Sequence, residues 1–114
     1  MPAYVIANVT VHDWNKYKEY VMHAPRVVRK FGGRFLSRGS SPQALEGAPE
    51  TRRVVLIEFP TIAIAQAFFA SKEYAEIKKL RETAATAQFF AIDGYPIAEW
   101  EKAAAESEAL PPPG

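Results

Sequence analysis

The chain has no cysteine, only two histidines, and almost no excess charge of either sign across its 114 residues. The lack of cysteine excludes disulfide bonds and cysteine-bound metals, and it is consistent with the cytoplasmic location that we expect. Lysine and arginine number 14 against 13 aspartates and glutamates, without a basic stripe, so no nucleic-acid partner is predicted. No apolar run approaches the roughly 18–20 residues that span a bilayer, and no secretory signal is recognisable, so we expect no membrane association.

The sequence also lacks the common catalytic signatures. It contains no Ser-His-Asp set, no phosphate-binding glycine loop and no dinucleotide fingerprint, and Gly32 and Gly33 indicate the end of a helix. His12 falls in a strand-to-helix turn. His23 falls in a helix four residues after Glu19, a spacing that helices contain routinely. We therefore predict neither a metal site nor a cofactor.

The residues that are present predict one domain of alternating strands and helices. Hydrophobic residues make up 48% of the chain and charged residues 24%, which are ordinary globular values. Segments rich in valine, isoleucine and phenylalanine predict strands at residues 4–11, 34–38, 52–59 and 87–93. Apolar residues at spacings of three and four predict helices at 14–31, 62–70 and 72–84, with an alanine-rich helix at 98–110.

Helix ends are marked by residues of known preference. Asp13, Thr61 and Ser71 are predicted N-caps. The apolar face of the first helix is predicted to begin at Trp14. Pro25 lies inside that helix, where it removes a backbone donor, so we expect a bend or a short break there.

The order of the elements, β-α-β followed by β-α-β, predicts an α+β fold of the ferredoxin-like type. Its sheet would be antiparallel with strand order 4-1-3-2, and the helices would cover one face. The strands are apolar on both faces, and leaving four or five side chains bare would forgo roughly 6–15 kcal/mol. That is comparable with the stability of a whole domain. We therefore predict a homodimer that packs sheet face against sheet face.

The composition changes after Pro96. We predict a dimeric α/β-barrel domain over residues 1–96 and, over residues 97–114, a C-terminal helical arm with a disordered proline-rich tail. Trp100 is the one aromatic residue of that arm. We expect it to help pack the arm on the partner subunit.

Several segments together resemble a known family. They are AYVIANVTV, GGRFL, the LEG at 45–47, RRVVLIEFP, the SKEY helix start, Arg81, and the pair Asp93 and Gly94. This set resembles the DUF1330 family, a domain of unknown function in the dimeric α/β-barrel superfamily. The resemblance covers residues 4–94 and implies the same fold and the same dimer, but no reaction.

Four polar residues, Asn8, Arg38, Glu58 and Arg81, are the candidate ligand-binding residues. Asn8 interrupts an apolar strand, either to line a ligand cavity or to form a hydrogen bond across the sheet. Arg34 and Arg38 are predicted to share one face of the second strand. Glu58 would pair with one of them at the sheet edge or dimer rim, or the arginines would anchor a carboxylate or enolate. Arg81 would close over the same cavity or extend along its helix to solvent.

These features favour a small soluble homodimer that binds a small organic ligand between its helices and its sheet. Two alternatives remain open. One is a cofactor-independent oxygenase-like enzyme, which the superfamily resemblance suggests by analogy of fold. The other is a non-catalytic protein-interaction module that uses the apolar C-terminal arm as its contact surface.

Overall fold

The structure is a computed structural model that describes residues 1–114. Four strands form one antiparallel sheet in the order β2-β3-β1-β4, as the sequence predicts. The elements in chain order are β1 (Ala3–Val11), α1 (Trp14–Lys30), β2 (Arg34–Arg38), β3 (Arg53–Phe59), α2 (Ile62–Ala70), α3 (Lys72–Glu82), β4 (Ala85–Asp93) and α4 (Ile97–Glu108). The predicted α+β, ferredoxin-like fold is confirmed.

The three predicted N-caps are present. The side chains of Asp13, Thr61 and Ser71 each accept a hydrogen bond from the backbone N–H three residues further on, at 3.2, 3.1 and 3.0 Å. Each bond satisfies one of the backbone donors that a helix leaves free at its start. Ser71 also ends α2, because its hydroxyl donates to the Phe68 carbonyl at 2.7 Å. One residue thus separates the two helices.

Helix α1 continues through Pro25, so the short break is wrong, while the alternative, a bend at this position, stays a prediction. A proline at this position has no N–H to donate to the carbonyl of Val21, four residues earlier. The guanidinium of Arg38 in β2 donates to that carbonyl instead. The strand therefore supplies the hydrogen bond that the helix loses, and the helix remains intact.

Strand β2 contains a bulge, which turns the side chains of its second half to the opposite face of the sheet. Arg34 pairs with Glu58 of β3, but the register then shifts around Leu36, and Arg38 pairs with Val55. Adjacent residues of β3 face opposite sides of the sheet in alternation. Arg34 and Arg38 therefore lie on opposite faces, and the prediction that they share one face is wrong.

The core lies between the sheet and helices α1 to α3. Its most deeply buried large side chains are Val9, Val27, Val28, Phe59, Phe68 and Tyr74. Trp14 was expected on the apolar face of α1 but is 52% exposed, so the buried face begins at Tyr17. Strand β4 begins two residues earlier than predicted because the end of β1 extends far enough to pair Val11 with Ala85.

The opposite face of the sheet, which we call the open face, carries no helix. In its centre Ile6 lies between Leu56 and Phe90 on the neighbouring strands. Phe90 is 44% exposed and Ile92 is 48% exposed. The prediction that both faces of the sheet are apolar is therefore correct.

Helix α4 extends away from the domain. None of its residues is buried, and Trp100 on it is 53% exposed. The molecule measures 55 × 32 × 16 Å with a radius of gyration of 17.4 Å, against about 13 Å for a compact domain of this length. None of the helices combines the length and the apolar character needed to cross a membrane.

Candidate functional site

The four candidate residues fall into two pairs on opposite faces of the sheet. Asn8 and Glu58 lie on the open face, because their neighbours along each strand are buried against the helices. Arg38 and Arg81 lie on the helix side. Within one chain, no cavity is lined by all four residues.

Both open-face residues form cross-strand contacts. Asn8 Nδ2 donates to Gln88 Oε1 at 3.2 Å. Arg34 Nε donates to Glu58 Oε1 at 3.3 Å, an exposed ion pair of the kind that contributes little stability. Each contact matches the structural alternative considered for that residue. Whether either residue also binds a ligand stays a prediction.

Arg81 is a buried cation without a counter-ion. It is 6% exposed, and its Nε has neither solvent nor a hydrogen-bond acceptor. Its guanidinium lies 4.7 Å from the ring centre of Phe89 and 5.9 Å from that of Tyr20. Cation–π contacts return about 0.5–2 kcal/mol each, which offsets only part of the cost of removing most of the guanidinium from water. A buried unpaired cation is unusual and marks a candidate anion-binding position.

Tyrosines surround Arg81 and form, with it, what we call the tyrosine cluster (Tyr17, Tyr20, Tyr74 and Arg81). The hydroxyls of Tyr20 and Tyr74 share a buried hydrogen bond of 2.8 Å. Burial raises the pKa of Tyr20 well above its ordinary value, and the neighbouring Tyr74 adds to the effect. Burial also raises the pKa of Tyr17, although the nearby Arg53 opposes this. Both phenols are thus held neutral.

The raised pKa of Tyr20 predicts a loss of stability in alkali. Its folded pKa exceeds the unfolded value of 10.0, so the stabilisation is complete below pH 10 and is lost as the pH rises towards the folded pKa. Above pH 10, the unfolding free energy of the wild-type protein should fall more steeply than that of Tyr20→Phe, by about 1.4 kcal/mol per pH unit. Chemical denaturation between pH 8 and 11.5 measures this. Tyr95→Phe, at an exposed position, is the control, and equal slopes for both variants would contradict the prediction.

An apolar cavity of about 360 Å³ lies between α2 and the sheet. Gln66 is the one polar residue in its wall. The lining residues are Val5, Ile62, Ala65, Gln66, Phe69, Ala70, Phe89, Phe90 and Ala91. The ring of Phe89 belongs to this wall and also carries the Arg81 guanidinium. The sequence predicts a pocket in this layer but did not identify its lining. The available signal was the pair of small residues Ala70 and Ala91, each of which directly follows a phenylalanine.

A second, polar cleft of about 450 Å³ lies where β1 ends, β3 begins and α1 starts. Its lining residues are Val9, Thr10, Val11, Trp14, Gly39, Ser40, Ser41, Pro42, Glu50, Thr51, Arg52 and Arg53. Sequence reasoning missed this cleft because its loop residues come from segments distant in the chain. The paired arginines of RRVVLIEFP were the only local signal.

Each of the two histidines contacts another side chain. His12 Nε2 lies 2.8 Å from the Thr86 hydroxyl, and Arg26 donates to His23 Nδ1 at 3.1 Å. The structure contains no group of three or more histidine, aspartate or glutamate side chains that could hold a metal ion. The polar groups that line the polar cleft are two guanidiniums, the Glu50 carboxylate, serine and threonine hydroxyls and the Trp14 indole, whereas the apolar cavity offers the Gln66 amide alone.

The sheet order, the helices on one face and the bare opposite face define an α+β domain of the ferredoxin-like fold. Residues 2–95 match the model of DUF1330, described as a domain of unknown function, and the chain belongs to that family. Helix α4 thus lies beyond the family's matched region. No curated protein matches the sequence.

Solved structures with the same fold include one from Rhodopseudomonas palustris, a protein of unknown function. It is 19% identical, with 83% of each chain covered and a TM-score of 0.67. SnoaB from Streptomyces nogalater, a cofactor-independent oxygenase, is 8% identical, covering 83% of this chain and 94% of its own, with a TM-score of 0.55. A protein from Arabidopsis thaliana is 8% identical over 83% and 97% of the two chains, with a TM-score of 0.62. At such identities the likeness concerns the fold.

Proposed function

We propose that the protein is a homodimer that binds a small, largely apolar organic molecule in the apolar cavity of each subunit. The observation that carries this proposal is the cavity itself. Its volume of about 360 Å³ falls within the roughly 300–1,000 Å³ of ligand pockets, which are mostly apolar with a few polar groups. Phe69, Phe89 and Phe90 supply aromatic walls, and Gln66 supplies one amide. A ring compound with a single hydrogen-bonding group fits this lining.

The open face supports the dimer. Exposed apolar side chains in one continuous patch are typical of protein–protein contacts, and a second copy would cover this patch with two-fold symmetry. Phe90 is exposed at the open face and also lines the cavity. Contact with a partner would therefore fix one wall of the ligand site. A cytoplasmic location belongs to the same proposal and rests on the lack of cysteine.

Filling the cavity tests the proposed ligand site. A panel of one- and two-ring aromatic compounds is first screened by thermal shift, and hits are measured by calorimetry. We expect Ala70→Phe to weaken a hit by at least about tenfold, because the new ring occupies the cavity. Ala67→Phe places the same ring on the exposed side of α2, outside the lining, and should leave affinity unchanged. Equal affinities for the two variants, or a screen without hits, would contradict the proposal.

A second candidate is an oxygenase-like enzyme that needs no cofactor. The unpaired cation of Arg81 behind Phe89 favours it, since an electron-rich aromatic substrate reacts with oxygen through its anion, which a buried arginine would stabilise. Oxygen uptake with a quinol tests this function. A trace that stays flat at all quinol concentrations would remove it and leave binding without chemistry.

A further inference from the structure

The polar cleft holds an arginine that no carboxylate neutralises. Arg52 is paired with Glu50 at 2.9 Å, and its hydrogen bonds hold the pKa of that carboxyl at about 2, so the pair stays charged and balanced at neutral pH. Arg53 takes part in none of the three ion pairs. Its Nη2 donates a hydrogen bond to the backbone oxygen of Arg38 at 3.2 Å. Its Nε is buried without an acceptor. The guanidinium has donors left for an anion.

The position of the Arg53 guanidinium is fixed by its surroundings. Its central carbon lies 5.7 Å from the ring centres of both Trp14 and Tyr17. Gly39, with φ of +83°, passes so close that a side chain at this position would overlap the guanidinium. A group already held in place loses little freedom when it binds a ligand.

Trp14 forms an aromatic wall beside this cation. Its indole is 52% exposed and packs edge-on against Tyr17, with ring centres 5.6 Å apart and planes at 86°. This edge contact and its place in the cleft lining leave indole surface available for a second ring. An exposed indole next to an unpaired guanidinium can recognise a flat ring and a negative charge together.

We propose that the polar cleft is a separate binding site for a planar aromatic carboxylate, with its ring against Trp14 and its carboxylate on Arg53. Arginine's planar fork matches the two oxygens of a carboxylate. This site shares no lining residue with the apolar cavity. The two proposals can therefore succeed or fail independently.

The two tryptophans of the chain make the test internally controlled. Trp14 lines the cleft, whereas Trp100 lies on α4 and lines no part of it, and the two are almost equally exposed, at 52% and 53%. Benzoate is titrated into ¹⁵N-labelled full-length protein while both indole N–H signals are followed by NMR; Trp100→Phe assigns them. We expect a saturable shift of the Trp14 signal alone. Benzamide, which is neutral, and cyclohexanecarboxylate, which is not aromatic, should each bind at least about tenfold more weakly.

Two variants complete the experiment. Arg53→Gln should make the affinities for benzoate and benzamide equal, whereas Arg29→Gln, at an exposed position on α1, should change neither. If Arg53→Gln does not fold, Ser41→Leu in the exposed cleft loop decides, because it fills the cleft and should abolish the benzoate shift. An unmoved Trp14 signal, equal movement of both indoles, or equal affinity for benzoate and benzamide would overturn the proposal.

Discussion

Replacing Ile6 with aspartate is expected to separate the proposed dimer into monomers. Ile6 lies at the centre of the open face, between Leu56 and Phe90 on the adjacent strands. In a two-fold symmetric contact each copy contributes the substituted residue, so the interface contains two aspartates. Each copy loses about 1.5–3 kcal/mol of apolar burial and buries an unpaired carboxylate. We expect a loss of at least about 4 kcal/mol, or roughly a thousandfold weaker association, as measured by sedimentation.

Ala67→Asp is the matched control for this experiment, because it adds the same charge on the exposed side of α2. It should leave the sedimentation coefficient unchanged. Wild-type protein that sediments as a monomer at micromolar concentration would refute the dimer. An Ile6→Asp variant that remains dimeric would place the subunit contact elsewhere on the molecule.

Arg81→Met is expected to stabilise the fold and to abolish any oxygen uptake, the activity of the second candidate function. The buried guanidinium has no acceptor for its Nε and no counter-ion, so its cost in the ligand-free protein exceeds its cation–π gain. Methionine is flexible and fills irregular apolar space. We expect the free energy of unfolding to rise by about 1–2 kcal/mol, together with a loss of any oxygen uptake.

Arg29→Met, on the exposed side of α1, is the control. It should change the free energy of unfolding by no more than about 0.5 kcal/mol and leave any oxygen uptake unchanged. Urea denaturation, with protein concentration held constant, measures both variants. A destabilised Arg81→Met protein would show that the cation is already satisfied in the free fold. That result would contradict an anion-binding role for Arg81.

The fold was predictable because its signals are local. The caps at Asp13, Thr61 and Ser71 depend on residues three positions apart, and the strands are recognisable from the composition of short segments. The predictions that proved wrong depend on contacts between segments that are distant in the sequence. Whether Pro25 breaks α1 depends on Arg38, which arrives from a different element to bind the free Val21 carbonyl. No pattern within the helix reports that contact.

The candidate site was less predictable than the fold, and the bulge in β2 shows why. Alternation along a regular strand put Arg34 and Arg38 on one face, but one extra residue at Leu36 turned Arg38 to the helix side. Burial of Arg81 among aromatic rings depends on Tyr20 and Phe89, from two other elements. Side-chain convergence of this kind is set by packing in three dimensions, and single-sequence patterns carry little information about it.

The same bulge has a consequence for how large an assembly can grow. Strand β2 is an outer strand of the sheet, and outer strands offer free backbone groups to which other chains can add. The extra residue interrupts the regular spacing of those groups, and the charged side chains of Arg34 and Arg38 lie on either side of it in the strand. Both features are ones that generally discourage further strands from adding at the edge of a sheet.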